Sequence, residues 1–491
     1  MPHSLNTKSE VKTICYSYFY KLFMSKIKKN FIIENLEVVD ISTEGKAIAK
    51  QDGMVVFIEK AVPGDVVDVM VHRKKNNFAE AKVHLFKKYS DKRIAPTCQH
   101  FGTCGGCKWQ NMDYTTQLEF KQKYVFDAFT RIGKFDFPAL LPIVGNPIPY
   151  YYRNKLEFSF SNKKWLTTEQ MASNELIENK NGLGFHIPGM FDKILDINEC
   201  HLQAEPSNKI RNAVKEYAFN KQLTFFDIRN KTGFLRTLLI RTSSTGEIMV
   251  VISVFEWLEK ELMDLLEFLK NQVPEITSLQ YTHNNKGNDT FFGLDLKTYH
   301  GRDYIFEGME GLRFKISPKS FYQTNSDQAY ELYKITRNFA ELKGNEIVYD
   351  LYTGTGTIAN FVASKAKKVI GIEYVEDAIK DAIENSRNNG IHNTGFFAGD
   401  MKIILSESFI ETHGKPDVII TDPPRAGMEE PVIHVILNAL PKKIVYVSCN
   451  PSTQARDIAM LSTKYKVIKS QAVDMFPQTA HVENVTLLEL I

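Results

Sequence analysis

Long apolar runs are missing from this 491-residue chain. None approaches the roughly 18 residues that would cross a bilayer, so no membrane partner is expected. The aromatic stretch CYSYFYKLF near the start is too short for a secretory leader and lacks an Ala-x-Ala-like cleavage site. Internal repeats and low-complexity tracts are absent as well, which removes solenoids and disordered polymers from consideration. Cysteine is scarce, at six residues. With no export signal the chain is expected in the cytoplasm, where thiols stay reduced and a disulfide ranks behind a metal or catalysis. A strong overall charge is lacking too, the formal value being +3.

What is present points to a soluble globular chain of two to four domains, with 43% hydrophobic and 24% charged residues. The charge is uneven. Residues 1–93 carry 17 Lys plus Arg against 11 Asp plus Glu, an excess of +6, and the remainder sums to −3. A basic front can meet a polyanion. Residues 1–30 are expected to be poorly ordered, with Met24 a second possible start and Cys15 given little functional weight. Residues 31–92 alternate Val and Ile with polar residues between Glu-Gly, Asp-Gly and Pro-Gly-Asp turn signals, which predicts short antiparallel strands in a small OB-like barrel. Arg73, Lys74, Lys75, Lys87, Lys88, Lys92 and Arg93 cluster at its turns and exit and suit an oligonucleotide.

Residues 93–314 form the next expected domain. It opens on CQHFGTCGGCKWQ, three thiols within ten positions. Cys98, Cys104 and Cys107, with the distant Cys200, are four thiolates for a metal, and spacing alone does not separate zinc from an iron–sulfur cluster. Gly105 and Gly106 let backbone N–H groups approach the sulfurs. Residues 113–133 have helical spacing, and 161–182 reads as a surface hairpin or insertion.

From residue 315 to the end, apolar strands alternate with helices, which predicts a doubly wound parallel α/β sheet with ligands at the carboxyl ends of its strands. Gly354-x-Gly356-x-x-Ala359 follows one strand directly, and Glu373 ends the next, placed for ribose hydroxyls. A nicotinamide enzyme uses nearly the same spacing. Asp350 before the glycine loop, and DPPR at 422–425, argue instead for a methyltransferase using S-adenosylmethionine. Asp400 ends the third strand, in reach of an adenine ring. Cys449 in VSCNP sits where a strand of the same sheet ends and Asn450-Pro451 breaks the chain, a position that suits a nucleophile. Glu483, in AHVENV beside His481, could serve as a general base.

In this order DLYTGTG, DPPR, VSCNP and HVENV resemble the RNA (uracil-5-)-methyltransferase family. The 34–86 unit looks like its TRAM barrel and SPKSFYQTN (317–325) like its entry to the catalytic domain. The resemblance implies a C-terminal Rossmann-like methyltransferase domain over 315–491, an N-terminal OB-like TRAM barrel and a central iron–sulfur α+β domain. It implies that Cys449 adds to uracil C6, that Glu483 removes the C5 proton, and that Gln323, Tyr352, Glu373 and Asp422 contact S-adenosylmethionine. Cys98, Cys104, Cys107 and Cys200 are similar to the ligand set of a [4Fe–4S] cluster in the branch that modifies 23S ribosomal RNA, with zinc as the alternative; the tRNA branch typically lacks that set. The cluster is expected to order the 93–110 loop for RNA rather than to exchange electrons. RNA is the expected partner and the chain is expected to act as a monomer. Arg425 is left between substrate and structure, and Phe101, Trp109 and Tyr322 between base stacking and core. Thr353 stands where the family often has Cys. The rival readings are a tRNA enzyme, a non-catalytic RNA-binding protein on the same fold, and an NAD-linked oxidoreductase.

Overall fold

In the computed structural model the described residues are 31–166, 171–172 and 180–491. The expectations for residues 1–30, and for 167–170 and 173–179 within 161–182, lie outside them. The chain divides into two compact units, one running to Ala95 and including Asn111–Asp113, the other holding Pro96–Gln110 and Tyr114–Ile491.

The first unit is a closed barrel of β1 (Phe31–Ile41), β2 (Ala47–Gln51), β3 (Met54–Glu59), β4 (Val66–Lys74) and β5 (Phe78–Lys88), in the order β1-β2-β3-β5-β4. Period-two alternation builds it: Leu36 and Val38, Ala47 and Ala49, Val56 and Ile58, and Val67, Val69 and Val71 all point inward. Asp52 and Gly53, both with positive φ, make the two-residue β2–β3 turn that matches strand twist. The exit is tied by Asp65, fully buried, whose carboxylate accepts from Val62 N at 2.6 Å, Ser90 N at 2.9 Å and the Arg93 guanidinium at 2.7 and 2.8 Å. Part of the basic cluster therefore has carboxylate partners within the barrel: Arg93 pairs with Asp65, Arg73 with Glu80 and Lys87 with Asp68.

The second unit contains two large sheets. In chain order its strands are β6 (Leu141–Val144), β7 (Lys155–Ser161), β8 (Gly182–Ile187), β9 (Met190–Asp196), β10 (Leu235–Thr242), β11 (Ile248–Val254), β12 (Ser278–His283), β13 (Leu296–Gly301), β14 (Ile305–Met309), β15 (Leu312–Ile316), β16 (Ile347–Leu351), β17 (Lys368–Glu373), β18 (Thr394–Ala398), β19 (Val418–Thr421), β20 (Lys443–Ser448), β21 (Tyr465–Val473) and β22 (Glu483–Leu490). One sheet runs β13-β12-β11-β10-β7-β8-β9 and is antiparallel except for β11 with β12, which the helix Glu259–Gln272 joins. Ser161 and Gly182 pair across β7 and β8, so the 161–182 stretch is the connection of a hairpin.

The other sheet runs β18-β17-β16-β19-β20-β22-β21-β6. Its first five strands are parallel, β16 sitting where the order reverses. β22 enters antiparallel between β20 and β21. Leu141–Val144 closes the far edge, more than 300 residues before its neighbour β21. The helix Tyr114–Ala128 precedes that strand and bonds the same sheet, Tyr124 OH donating to Asn450 Oδ1 at 3.1 Å and Lys121 Nζ meeting Asp474 Oδ1 at 2.5 Å.

Asp65→Ala in the full chain leaves two buried N–H groups without an acceptor and the Arg93 guanidinium without its carboxylate, and should cost about 3–5 kcal/mol. Amide exchange across β1–β5 should accelerate accordingly, while exchange in β16–β22 stays unchanged.

Candidate active site

The parallel strands end along one edge, and because β22 runs the other way its first residue lies on that same edge. The register places it. Val447 faces Val485 and Ser448 faces Asn484, so Cys449, next along, stands across from Glu483. Ser448 Oγ accepts from Asn450 N at 3.1 Å, and Asn450 caps the helix Pro451–Leu461, which fixes the chain on either side of the half-buried thiol.

Asp422, directly after β19, acts electrostatically on both Cys449 and Glu483. Burial, then Glu483 and Asp422, push the Cys449 thiol up to about 12, with Arg425 opposing them. Burial and Asp422 hold the Glu483 carboxyl well above the usual range, again against Arg425. Burial raises Asp422 to about 7. Asp350, at the end of β16, is fully buried and is also pushed by burial up to about 7; its Oδ2 accepts from Thr353 Oγ1 at 2.5 Å and from Ala359 N at 3.0 Å. Thr353 thus ties the glycine loop to that carboxyl, a stronger donor there than a thiol.

The glycine loop follows. Tyr352, Gly354 and Gly356 all have positive φ, and a Cβ on Gly356 would come within 2.8 Å of Ala382 Cβ. Glu373, half-buried at the end of β17, accepts from Gly354 N at 3.2 Å and Val375 N at 3.1 Å, which sets it beside the loop as its spacing suggested. Gln323 bonds the buried Tyr333 hydroxyl, whose proton is held first by burial and then by Asp422, Asp350 and Glu483. Tyr333 was not among the residues read from sequence; it lies mid-helix at an ordinary core spacing, which carries no signal of a site. Asp400 follows β18, but its carboxylate caps the short helix Met401–Ile404 through Lys402 N at 3.1 Å and pairs with Lys402 Nζ at 3.2 Å.

Arg425, exposed, lies 3.3 Å from His481 Nδ1, so DPPR and HVENV meet at the rim. Burial and then Arg425 lower the His481 imidazole to about 4. Of the stacking candidates, Trp109 and Tyr322 are buried in the core, and Phe101 lines the thiol cavity.

That cavity is separate. Cys98, Cys104, Cys107 and Cys200 line a single space of about 240 Å³. Burial raises Cys104 to about 11 and Cys107 to about 12, and the thiols' mutual repulsion adds to it. Gly106 N donates to Cys104 Sγ at 3.5 Å. Among the described residues no group of three or more His, Cys, Asp or Glu side chains is arranged so that it could hold a metal ion, so an iron–sulfur domain is not established by the fold.

Known proteins match this arrangement closely. The tRNA (Uracil-5-)-methyltransferase family matches residues 243–491 and the TRAM domain residues 33–84. An uncharacterized RNA methyltransferase of Bacteroides thetaiotaomicron is 57% identical over 92% of this chain and 100% of its own length. The chain belongs to the RNA uracil-5-methyltransferase family. An uncharacterized RNA methyltransferase of Porphyromonas gingivalis is 55% identical over 92% of this chain and 99% of its own. The crystal structure of the Pyrococcus abyssi tRNA (uracil-54, C5)-methyltransferase in complex with S-adenosyl-L-homocysteine superposes with a TM-score of 0.71, at 27% identity, over 92% of this chain and 99% of that one. An RNA methyltransferase of this family uses S-adenosylmethionine, and the nicotinamide reading is set aside. No helix among the described residues is long and apolar enough to cross a membrane.

Burial pushes the Glu483 carboxyl up and the Cys449 thiol up to about 12, so a reaction that needs either group deprotonated should gain from rising pH. The single-turnover rate should therefore still be rising with pH well above neutrality, toward the thiol's raised value of about 12. A flat profile would show that neither group limits the reaction.

Proposed function

We propose that this protein methylates C5 of a specific uridine in RNA, with Cys449 as nucleophile and Glu483 as general base. The observation that carries the reading is that Cys449 and Glu483 follow directly on the last β20–β22 pair, Ser448 with Asn484, with both thiol and carboxyl feeling Asp422. Uracil C5 is too weak a nucleophile to take a methyl group unaided. A thiolate adding to C6 turns the ring into an enolate with electron density at C5. S-adenosylmethionine, when bound, supplies the methyl group from a cationic sulfonium. Glu483 then takes the remaining C5 proton, the C5–C6 double bond re-forms and the Cys449 thiolate leaves. Asp422 keeps the edge acidic between nucleophile and base, and Gln323, Tyr352 and Glu373 would hold the cofactor about the glycine loop, with Asp400 toward the adenine. The uridine has to leave its stack to reach this edge, which favours a loop or single strand.

We read the four cysteines as ligands of a [4Fe–4S] cluster from the chemistry of the donor set, the described side chains not being arranged around a metal position. The donor set is wholly cysteine, which suits an iron–sulfur cluster, with zinc as the alternative. Cys98, Cys104, Cys107 and Cys200 would hold the cluster, which would cross-link the 98–107 loop to Cys200. That ligand set favours 23S ribosomal RNA as substrate. The likeness to the Pyrococcus abyssi enzyme favours the second reading, a tRNA.

Labelled S-adenosylmethionine with total RNA from cells lacking the gene tests both. Label in 5-methyluridine of large-subunit ribosomal RNA, lost in Cys449→Ala, is the expected result. Label in tRNA would retain the chemistry and replace the substrate, and label persisting in Cys449→Ala would overturn the mechanism. Purified anaerobically, the protein should contain about four iron and four sulfide per chain, and zinc alone would overturn the cluster.

A further inference from the structure

The nine residues Asp474–Val482 connect β21 to β22, so their course sets where Glu483 enters its strand. They are held residue by residue. Asp474 takes Lys121 Nζ at 2.5 Å and Tyr114 OH at 2.9 Å, and Met475 O takes Asn325 Nδ2 at 2.9 Å. Phe476 O takes Lys121 Nζ at 3.0 Å and Pro477 O takes Tyr152 OH at 3.0 Å. The last tie reaches the thiol loop. Gln478 O accepts from Lys108 N at 2.8 Å and Trp109 N at 3.1 Å, the two residues directly after Cys107.

Gln478 itself is buried and has φ +67°, a conformation that costs energy for any residue but glycine and persists only where its surroundings hold it. Gln117, fully buried on the helix Tyr114–Ala128, does the holding: its Oε1 accepts from Gln478 N at 2.9 Å, and its Nε2 donates to Gln478 Oε1 at 3.0 Å and to Trp109 O at 3.1 Å. One amide thus fastens the thiol loop to the connection that delivers Glu483. Within the loop, Gln110 accepts from Cys98 N at 3.0 Å and bonds Cys107. Cys449 is placed by its neighbours Ser448 and Asn450, and the Tyr124 bond to Asn450 comes from further along the Gln117 helix without touching the thiol loop.

We propose that Gln117 and Gln478 are positioning residues that brace the general base on the thiol loop, so that proton removal depends on the state of the thiol site while adduct formation at Cys449 does not. The proposal rests on the roles given above to Cys449 and Glu483. Its chemical consequence concerns one step. With Glu483 displaced, the C5 proton stays on carbon, the C6–S bond cannot break by elimination, and the enzyme stops as a covalent complex with methylated RNA.

The test uses full-length protein, labelled S-adenosylmethionine and the RNA substrate, and measures label in a denaturation-resistant protein–RNA complex alongside turnover. Gln478→Gly keeps the backbone bonds and tolerates the positive φ; Gln117→Met keeps the volume and loses all three side-chain bonds. Both should form labelled complex at the wild-type initial rate and lose roughly 10- to 100-fold in turnover, with the KM for S-adenosylmethionine unchanged. Wild-type protein stripped of its thiol-site metal should behave likewise. If Glu483→Gln traps labelled complex and the two glutamine variants turn over normally, or lose complex and turnover together, the brace is refuted. If Glu483→Gln traps nothing, the reading beneath it fails as well.

Discussion

A lysine with no exposure to solvent has to find a carboxylate, and Lys121 finds Asp474, 353 residues away in the chain. Burial works to strip its proton and the carboxylate works to keep it. Such a pair adds little net stability over apolar packing, yet removing either partner strands a charge in the interior. Its geometry therefore admits little slack. It fixes the start of the connection between β21 and β22, and the Trp109 ring over the ammonium and Tyr114 on the carboxylate draw the thiol loop and the first long helix into the same arrangement. The sheet edge that carries Cys449 and Glu483 inherits its precision from this interior contact.

The edge itself is dominated by carboxyl groups. Asp350, Asp422 and Glu483 lie close enough to raise one another's proton affinity or that of their neighbours, and Arg425 is the cation that opposes them. Such a site favours a positively charged partner such as a sulfonium over an anionic pyrophosphate. The same surroundings push the Cys449 thiol up to about 12. Burial and the neighbouring carboxyl groups are the common origin of the raised Cys449 thiol and the raised Glu483 carboxyl.

Local signals carried most of this site. Strand, glycine turn and helix recur with a period that a sheet of parallel strands requires, and Glu373, Asp422 and Cys449 each stand where an apolar strand stops. Glu483 was visible for the same reason, at the start of an apolar strand, although only the antiparallel ladder explains why that start shares an edge with the ends of the others. Asp400 shows the ambiguity of such positions, since a carboxylate after a strand caps the following helix equally well. Leu141–Val144 as the outer strand of the last sheet, and Gln117, Lys121 and Asp474, had no signal, because their partners lie hundreds of residues away and neither side has a periodicity that names the other. On the barrel, the positive residues were plain while their pairing with Asp65, Asp68 and Glu80 was not, because charge counting does not see across strands.

The long reach between Lys121 and Asp474 bears on how the protein is made. At ~5–20 residues per second, a ribosome needs roughly 20–70 s to travel from one to the other. Through that interval the lysine's helix and the strand Leu141–Val144 have emerged without the sheet they complete, and the ammonium has to stay hydrated. Closure waits for the last thirty or so residues, so the nascent chain passes most of its synthesis with an open sheet edge and no competent site. A truncated product would lack the final strand and the base with it, and would present that edge to chaperones and proteases.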